Sequence, residues 1–375
     1  MIYLDNAATT YPKPEEVYIA LDKANRNAFN TGRGSYKVAR KASETKEDVR
    51  NKILKLNNIK NAKVIYTNSA TTSLNDIIFG IELKNNDYIY ISPFEHNSIV
   101  RPLEELKKRI NINIEILPFD KQTWKPDYEK INDMFAIHKP SAIFLSQVSN
   151  VTGYILPYNE IFDLAKKYNS INVLDASQGY GIVPIKNSEN INYIVFAGHK
   201  SLYASFGIAG YIKLKNDKLK QNIFGGTGSD TMNPNMPDTI PDGYEAGSPN
   251  IVSIYGLNAS IDWLNNVDIY KHEKELTNYL IQELKKIKTV QLFLPEDTDN
   301  IFGMISFGIN NYSSDDVGSI LDDEYNICVR TGYHCAPLIH DFIGSLEYNG
   351  TIRISLNYFN TKNDIDLLVN ALKSL

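Results

Sequence analysis

The 375 residues are enough for one large hydrophobic core and a second, smaller one, because single cores stop growing near ~250–300 residues. Hydrophobic residues make up 43% and charged residues 22%, as in ordinary globular proteins. A net charge of −5 argues against a nucleic-acid partner, and no apolar stretch approaches the ~20 residues of a membrane span. The sequence shows no secretory-signal pattern and has two cysteines, Cys328 and Cys335, so we expect a cytoplasmic protein without a disulfide framework.

The first 255 residues alternate between strand-like and helix-like patterns. Residues 4–10 are small and polar and are expected to be extended. Helical patterns follow over residues 36–56, 69–83 and 98–109. Short β-rich runs predict strands at 64–67, 88–92, 112–117, 142–146, 171–174, 193–196 and 208–214. This alternation predicts an α/β fold with a mostly parallel sheet and helices on both faces.

The remaining residues predict a second, smaller α/β unit. Residues 224–249 are rich in glycine, proline and asparagine, which indicates a long irregular connection. Helical patterns follow at 251–265 and 272–288. Shorter strand and helix patterns then lie at 291–294, 302–307, 315–322, 327–330, 351–356 and 362–372. We therefore predict a large domain over residues 1–255, and connecting helices with a small C-terminal domain over 256–375.

His199 and Lys200 directly follow the predicted strand at 193–196. Open α/β sheets bind their ligands at the carboxyl ends of the strands. A lysine that emerges from an apolar strand into a turn of small residues can be partly desolvated, which lowers its pKa and makes its amine a nucleophile. The alternative is a solvated loop lysine beside a structural histidine.

Other polar residues follow neighbouring strands. Asp175 comes after the strand at 171–174, and Thr71 and Thr72 open the helix after the strand at 64–67. A helix N-terminus favours a phosphate, although a plain N-cap is the simpler interpretation of these hydroxyl residues. A lysine, an acid and a helix N-terminus are the protein groups that pyridoxal phosphate requires.

Nine short motifs run in one order along nearly the whole chain: LDNAATTYPKPEEV, NSATTSLN, EHNSIV, VSNVTG, DASQ, GHK, EAGSPN, RTGYHCAP and TIRISLNYFNT. Together they resemble the class V, fold-type I pyridoxal-phosphate family, and within it the SufS-like cysteine desulfurases and selenocysteine lyases. The resemblance implies a large domain with a mostly parallel, seven-stranded-type sheet and a small C-terminal α/β domain that carries the Cys335 loop. It also implies conversion of L-cysteine to L-alanine, with a persulfide formed on Cys335 and passed to a sulfur acceptor.

The resemblance further implies a role for each matched residue. Lys200 corresponds to the Schiff-base lysine, Asp175 to the acid at the pyridine nitrogen and His96 to the catalytic imidazole stacked on the ring. The implied cofactor-binding set is Thr71, Thr72, His96, Asn150, Asp175, Gln178, His199, Lys200 and Ser248. Ser248 corresponds to a residue that reaches the cofactor of the other protomer, which implies a homodimer.

Two arginines and Asn150 are implied in substrate binding. Arg353 corresponds to the residue that grips the substrate carboxylate, a task that suits a bidentate guanidinium, and Arg330 is the second guanidinium nearby. The sequence departs from the family at Ala197, where a phosphate-binding hydroxyl is common, and in the bulky turn at 201–206.

The two cysteines lie in different predicted environments. Cys335 follows Gly332 in a predicted loop beside His334, where a thiol can react as the thiolate. Cys328 lies inside a predicted apolar strand, where a thiol is usually inert packing.

The sequence supports three alternatives to a cysteine desulfurase to different degrees. Selenocysteine or another β-substituted amino acid would use the same site, in a lyase or another class V aminotransferase. A non-catalytic binding subunit would predict loss of the lysine, the acid or the phosphate residues, and all are present. A zinc protein built on His334, Cys335 and His340 lacks a fourth ligand at a suitable spacing, so no metal site is predicted; His138, His272 and His340 are expected at the surface.

Overall fold

The structure is a computed structural model that describes residues 1–28, 30–31, 34–186 and 188–375. Its strands, in chain order, are β1 (Ile2–Tyr3), β2 (Lys63–Thr67), β3 (Tyr88–Ile91), β4 (Asn113–Ile116), β5 (Pro140–Ser146), β6 (Ile171–Asp175), β7 (Tyr193–Ala197), β8 (Ala209–Lys213), β9 (Val290–Leu292), β10 (Met304–Ile309), β11 (Ile327–Cys328), β12 (Arg330–Gly332) and β13 (Thr351–Ser355). Its α-helices are α1 (Glu15–Asn27), α2 (Lys37–Leu56), α3 (Ala70–Gly80), α4 (Asn97–Arg109), α5 (Tyr128–Ile137), α6 (Tyr158–Ala165), α7 (Ile251–Leu264), α8 (Ile269–Leu284), α9 (Ser314–Tyr325), α10 (Ile339–Ile343) and α11 (Lys362–Lys373).

A seven-stranded sheet forms the centre of the fold, in the order β2-β8-β7-β6-β5-β3-β4. Only β8 runs antiparallel to its neighbours. β7 and β8 are buried along their whole length, and β6 is buried except at Ile171, as expected for a sheet covered on both faces. The predicted mostly parallel, seven-stranded sheet is confirmed, and each predicted strand lies within two residues of an observed one.

A second sheet, antiparallel, has the order β12-β13-β10-β9. The predicted single strand at 327–330 is wrong in one respect, because it divides at Val329 into β11 and β12. β11 pairs in parallel with β1, whereas β12 pairs with β13. The chain changes partner strands at this point, and the loop that carries Cys335 follows β12.

Local capping explains where the helices begin. The predicted helix at 272–288 is α8, which begins three residues earlier because the Asp268 side chain accepts a hydrogen bond from the Lys271 backbone N–H. Ser69 caps α3 in the same way through the Thr72 N–H.

α7 packs against α1 and α2, and its buried side chains belong to the core on one face of the large sheet. A separate core lies between the antiparallel sheet, α8, α9 and α11. The domain boundary at 255/256 stays a prediction. Among the described residues, none of the helices combines the length and the apolar character that crossing a membrane requires.

Candidate active site

One small cavity lies where β5, β6 and β7 end and where α3 and α4 begin. Its walls include seven of the residues predicted from the sequence: Thr71, His96, Asn150, Asp175, Gln178, His199 and Lys200. The parallel strands bring these residues together because their carboxyl ends meet at one edge of the sheet. Ala197, the family departure noted above, also lines the cavity.

Lys200 is the amine of this cavity. Burial lowers the pKa of Lys200, the guanidinium groups of Arg353 and Arg330 lower it further, and the Asp175 carboxylate opposes them. Asp175 is 8% exposed and accepts a hydrogen bond from the Ser177 backbone N–H at 3.0 Å. The lysine therefore has the lowered pKa that a nucleophilic amine needs, with an acid in the same cavity.

His96 is held as a neutral imidazole. It caps α4, and its Nδ1 accepts a hydrogen bond from the Ser98 backbone N–H at 3.0 Å. Burial lowers the pKa of His96 to about 3, and the charges of Lys200 and Arg330 act in the same direction. With Nδ1 accepting, the ring proton lies on Nε2.

The N-terminus of α3 and His199 form the other side of the cavity. Burial lowers the pKa of His199 to about 3, with smaller contributions from Lys200 and Lys13. Its Nδ1 is buried and has no hydrogen-bond partner among the described residues. Thr71 Oγ1 pairs with Ser98 Oγ at 2.7 Å, whereas Thr72 Oγ1 pairs with Ser69 Oγ at 3.0 Å, and Thr72 does not line the cavity.

The Cys335 loop approaches the cavity from the antiparallel sheet. Cys335 is exposed, and Arg330 Nη2 donates to its sulfur at 3.4 Å. Two contacts hold the loop to the cavity walls: the Asn97 backbone N–H donates to the Cys335 carbonyl at 2.7 Å, and Asn150 Nδ2 donates to the His334 carbonyl at 2.7 Å. Because Asn150 lines the Lys200 cavity, these contacts hold the Cys335 loop beside it.

His334 and His340 hold the Cys335 loop in place through hydrogen bonds of their rings. His334 and Cys335 both have left-handed backbone conformations, with φ of 47° and 58°. His334 Nε2 pairs with Thr351 Oγ1 at 2.7 Å, and His340 Nε2 pairs with the Tyr333 carbonyl at 3.0 Å. The prediction that His340 lies at the surface is wrong: the residue is 1% exposed. Its ring is kept inside the fold by hydrogen bonds from both nitrogens, since Nδ1 also pairs with Ser345.

Arg353, on β13, is completely buried. Its Nη2 pairs with Asp5 Oδ1 at 2.6 Å, and its Nη1 donates to the Asn150 carbonyl at 2.8 Å. Burial lowers the pKa of Arg353 to about 10, an effect that Asp5 opposes. Arg353 does not line the cavity among the described residues, but it contacts the carbonyl of Asn150, which does line it, so Arg353 lies directly behind the cavity wall.

Ser248 lies elsewhere, on the wall of a larger cavity of about 530 Å³ that the irregular segment 226–229 also lines. Gln178, by contrast, lines the Lys200 cavity, and its Nε2 donates to the Ala7 carbonyl at 3.0 Å. Within one described chain, Ser248 is therefore not among the residues that form the Lys200 cavity.

Two further titratable residues next to the site were not predicted. Glu95 is completely buried and accepts hydrogen bonds from Ser92 and Ser146, and burial raises its pKa to about 7. Lys13 Nζ donates to Thr10 Oγ1 at 2.7 Å and to the His199 carbonyl at 3.2 Å, and burial lowers its pKa to about 7. Both lie inside the motifs EHNSIV and LDNAATTYPKPEEV, and Glu95 directly precedes His96, but no local pattern indicates that Lys13 reaches His199.

The sequence profile of the aminotransferase class-V family matches residues 2–368. The chain belongs to this family. It is 29% identical, over its whole length and 94% of the relative, to a probable cysteine desulfurase of Methanothermobacter thermautotrophicus. It is 30% identical, over its whole length and 92% of the relative, to a probable cysteine desulfurase of Halalkalibacterium halodurans.

Solved structures show the same similarity. The apo cysteine desulfurase from Thermococcus onnurineus superposes with a TM-score of 0.89 at 26% identity, covering all of this chain and 94% of that one. The cysteine desulfurase CsdA from Escherichia coli superposes with a TM-score of 0.84 at 26% identity, covering 99% and 94% of the two chains. The family and the fold inferred from the motifs are thereby confirmed.

Proposed function

We propose that this protein is a pyridoxal-phosphate-dependent cysteine desulfurase that converts L-cysteine to L-alanine and retains the sulfur as a persulfide on Cys335. Two observations support the proposal: Lys200 and Asp175 line one cavity, and the loop that carries Cys335 is hydrogen-bonded to Asn97 and Asn150 beside that cavity. Relatives that align with the whole chain are named cysteine desulfurases.

The cavity residues fit pyridoxal phosphate. The unpartnered His199 Nδ1 and the N-terminus of α3 suit a phosphate, which prefers N–H donors and a positive helix end. Asp175 suits the cationic pyridine nitrogen, Gln178 the phenolic oxygen, and the His96 ring one face of the cofactor. Lys200 is the amine that would hold the cofactor covalently. When bound, this cofactor supplies an electron sink for the α-carbon of the amino acid.

The residues of the chain would then divide the remaining work. Lys200 Nζ, with its lowered pKa, accepts the proton from the substrate Cα and returns one to the product. Asn150 and Arg353 orient the amino acid, with the guanidinium directed at its carboxylate. Arg330 stabilises negative charge on the Cys335 sulfur through the contact at 3.4 Å.

Sulfur transfer is a displacement at the substrate sulfur. The Cys335 thiolate attacks that sulfur, so a bond between the two sulfur atoms forms while the substrate Cβ–S bond breaks. The electron pair of the broken bond remains on Cβ, which takes up a proton, and the products are alanine and the Cys335 persulfide. The exposure of Cys335 leaves this persulfide open to an acceptor, which we propose to be a thiol-bearing protein.

The test is an assay of the purified protein with L-cysteine and L-selenocysteine in turn, measuring alanine, sulfide and selenide. We expect alanine and persulfide sulfur from cysteine, and a yellow protein whose absorbance band borohydride removes. Lys200→Ala should lose the reducible band. Exclusive activity on selenocysteine would replace the proposal by a selenocysteine lyase, and a reducible band retained in Lys200→Ala would overturn the assignment of the lysine.

We also propose a homodimer in which Ser248 completes the partner's site. Ser248 lies outside the Lys200 cavity of its own chain. Four large apolar side chains between residues 206 and 232 are also exposed: Phe206, Ile223, Phe224 and Met232, at 63, 49, 72 and 94%. Sedimentation at micromolar concentration should give a dimer, and Ser248→Ala should weaken cofactor binding. An active monomer that retains its cofactor would contradict this. We propose in addition that the chain divides into two domains at 255/256 and that the protein is cytoplasmic.

A further inference from the structure

We propose that Asp5 is an internal competitor for the substrate carboxylate and thereby sets the affinity of Arg353 for the amino acid. The inference rests on the proposed function, in which Arg353 binds that carboxylate. Asp5 belongs to the first sequence motif, and none of the roles assigned above uses its side chain.

The contact itself is short and charged. Asp5 Oδ1 lies 2.6 Å from Arg353 Nη2, while Arg353 Nη1 donates to the Asn150 carbonyl at 2.8 Å. Arg353 Nε is buried and has no partner among the described residues. Both terminal nitrogens of the guanidinium are therefore engaged, one of them by a carboxylate of the kind that the substrate would present.

The backbone fixes Asp5 in this position. Residues on both sides of it are hydrogen-bonded to the strand that carries Arg353: the Ser355 N–H donates to the Leu4 carbonyl at 2.7 Å, and the Ala7 N–H donates to Ser355 Oγ at 2.9 Å. Further along the segment, the Thr10 N–H donates to the carbonyl of His199, the residue before Lys200, at 3.0 Å. Asp5 is therefore held beside the Arg353 guanidinium. Because its segment is hydrogen-bonded on both sides, a bound substrate cannot push Asp5 away without breaking those bonds.

The electrostatic consequence follows from the burial of Arg353. A buried guanidinium needs a carboxylate partner, and Asp5 supplies it before any substrate arrives. A second carboxylate that approaches the same guanidinium meets the negative charge of Asp5 a few ångströms away, where like charges repel appreciably even at an intermediate dielectric constant. Asp5 thus stabilises the fold and weakens the binding of carboxylate ligands.

The test compares two ligands of the pyridoxal-phosphate-loaded protein. L-Alanine carries the amine and the carboxylate, whereas L-alaninol carries the amine and a hydroxyl in place of the carboxylate. Asp5→Asn retains the shape and a hydrogen-bond acceptor but removes the charge. We expect Asp5→Asn to bind L-alanine about tenfold more tightly, because the repulsion is gone, and to bind L-alaninol within about twofold of the unmutated protein.

Asp315→Asn is the matched control, since the Asp315 carboxylate lies at the start of α9 and pairs with Thr331, not with Arg353; the affinities for L-alanine and for L-alaninol should both be unchanged. If Asp5→Asn does not fold, Asp5→Ser gives the same comparison. Unchanged or weaker binding of L-alanine in either folded variant would overturn the role of Asp5. If the unmutated protein itself fails to distinguish L-alanine from L-alaninol, the assignment of Arg353 in the proposed function fails instead.

Discussion

The two cysteines provide a matched pair at the residue scale. Cys335 is exposed and contacts Arg330, whereas Cys328 lies half-buried in β11 beside Tyr3, where burial raises its pKa. We expect Cys335→Ser to retain the cofactor absorbance but to lose sulfide release from cysteine by about a hundredfold or more, because the sulfur nucleophile is gone. Cys328→Ser should leave the rate nearly unchanged. Sulfide release by Cys335→Ser at the unmutated rate would exclude the persulfide mechanism.

Arg353 combines a proposed role in substrate binding with a buried ion pair. Arg353→Ala should weaken amino-acid binding roughly thirtyfold, through loss of a charged contact worth at least ~2 kcal/mol, while cofactor binding changes little. Titration with L-alanine and with pyridoxal phosphate measures the two effects separately. The substitution should also lower the free energy of unfolding, since Asp5 loses its partner. An unchanged affinity for L-alanine would leave Arg353 with a structural role alone.

At the scale of elements, the N-terminus of α3 depends on its cap. The Ser69 side chain accepts a hydrogen bond from the Thr72 N–H at 3.1 Å and from no other backbone group among the described contacts. Ser69→Ala should cost about 1 kcal/mol of stability and weaken binding of pyridoxal phosphate, because the first turn of α3 faces the phosphate region. Asp127→Ala removes the equivalent cap of α5, away from the cavity, and serves as the control. Equal cofactor affinities in the two variants, measured by titration, would contradict this role of α3.

At the scale of the whole molecule, a buried acid joins α8 to the turn after Lys200. Tyr203, in that turn, donates to Glu273 Oε1 at 2.8 Å, and burial raises the pKa of Glu273 from 4.5 to about 8, although the Tyr203 hydrogen bond opposes this. Between these two pKa values the folded protein keeps a proton that the unfolded chain has lost. The free energy of unfolding contributed by this group is therefore greatest below about pH 4.5 and falls as the pH rises to about 8.

Glu273→Gln should remove this pH dependence. Relative to the unmutated protein, the variant should gain stability as the pH is raised from 5 to 8, measured by urea unfolding at several pH values. Glu275→Gln, an exposed acid on the same helix, should show no such change. Parallel pH profiles for Glu273→Gln and the unmutated protein would contradict the prediction.

The sequence by itself determined the central sheet and most of the cavity. Strand periodicity and glycine-bounded turns are local features, so the strands from β2 to β8 were predicted within two residues. The polar residues at their ends meet because parallel strands share an edge, which is why Asp175 and Lys200 were expected together and lie in one cavity. The motifs then named the chemistry that those residues suit.

Tertiary structure decided what depends on contacts between distant parts of the chain. The division of a predicted strand at Val329 follows from its pairing with β1, the position of the Cys335 loop from the bond between Asn150 and the His334 carbonyl, and the partner of Arg353 from an N-terminal segment 348 residues away. None of these has a local pattern, because a hydrogen bond or ion pair across the fold leaves no periodicity in the sequence. The side chains around Arg353 were therefore identified only once the chain was folded, although Asp5 stands in a motif that the sequence displays.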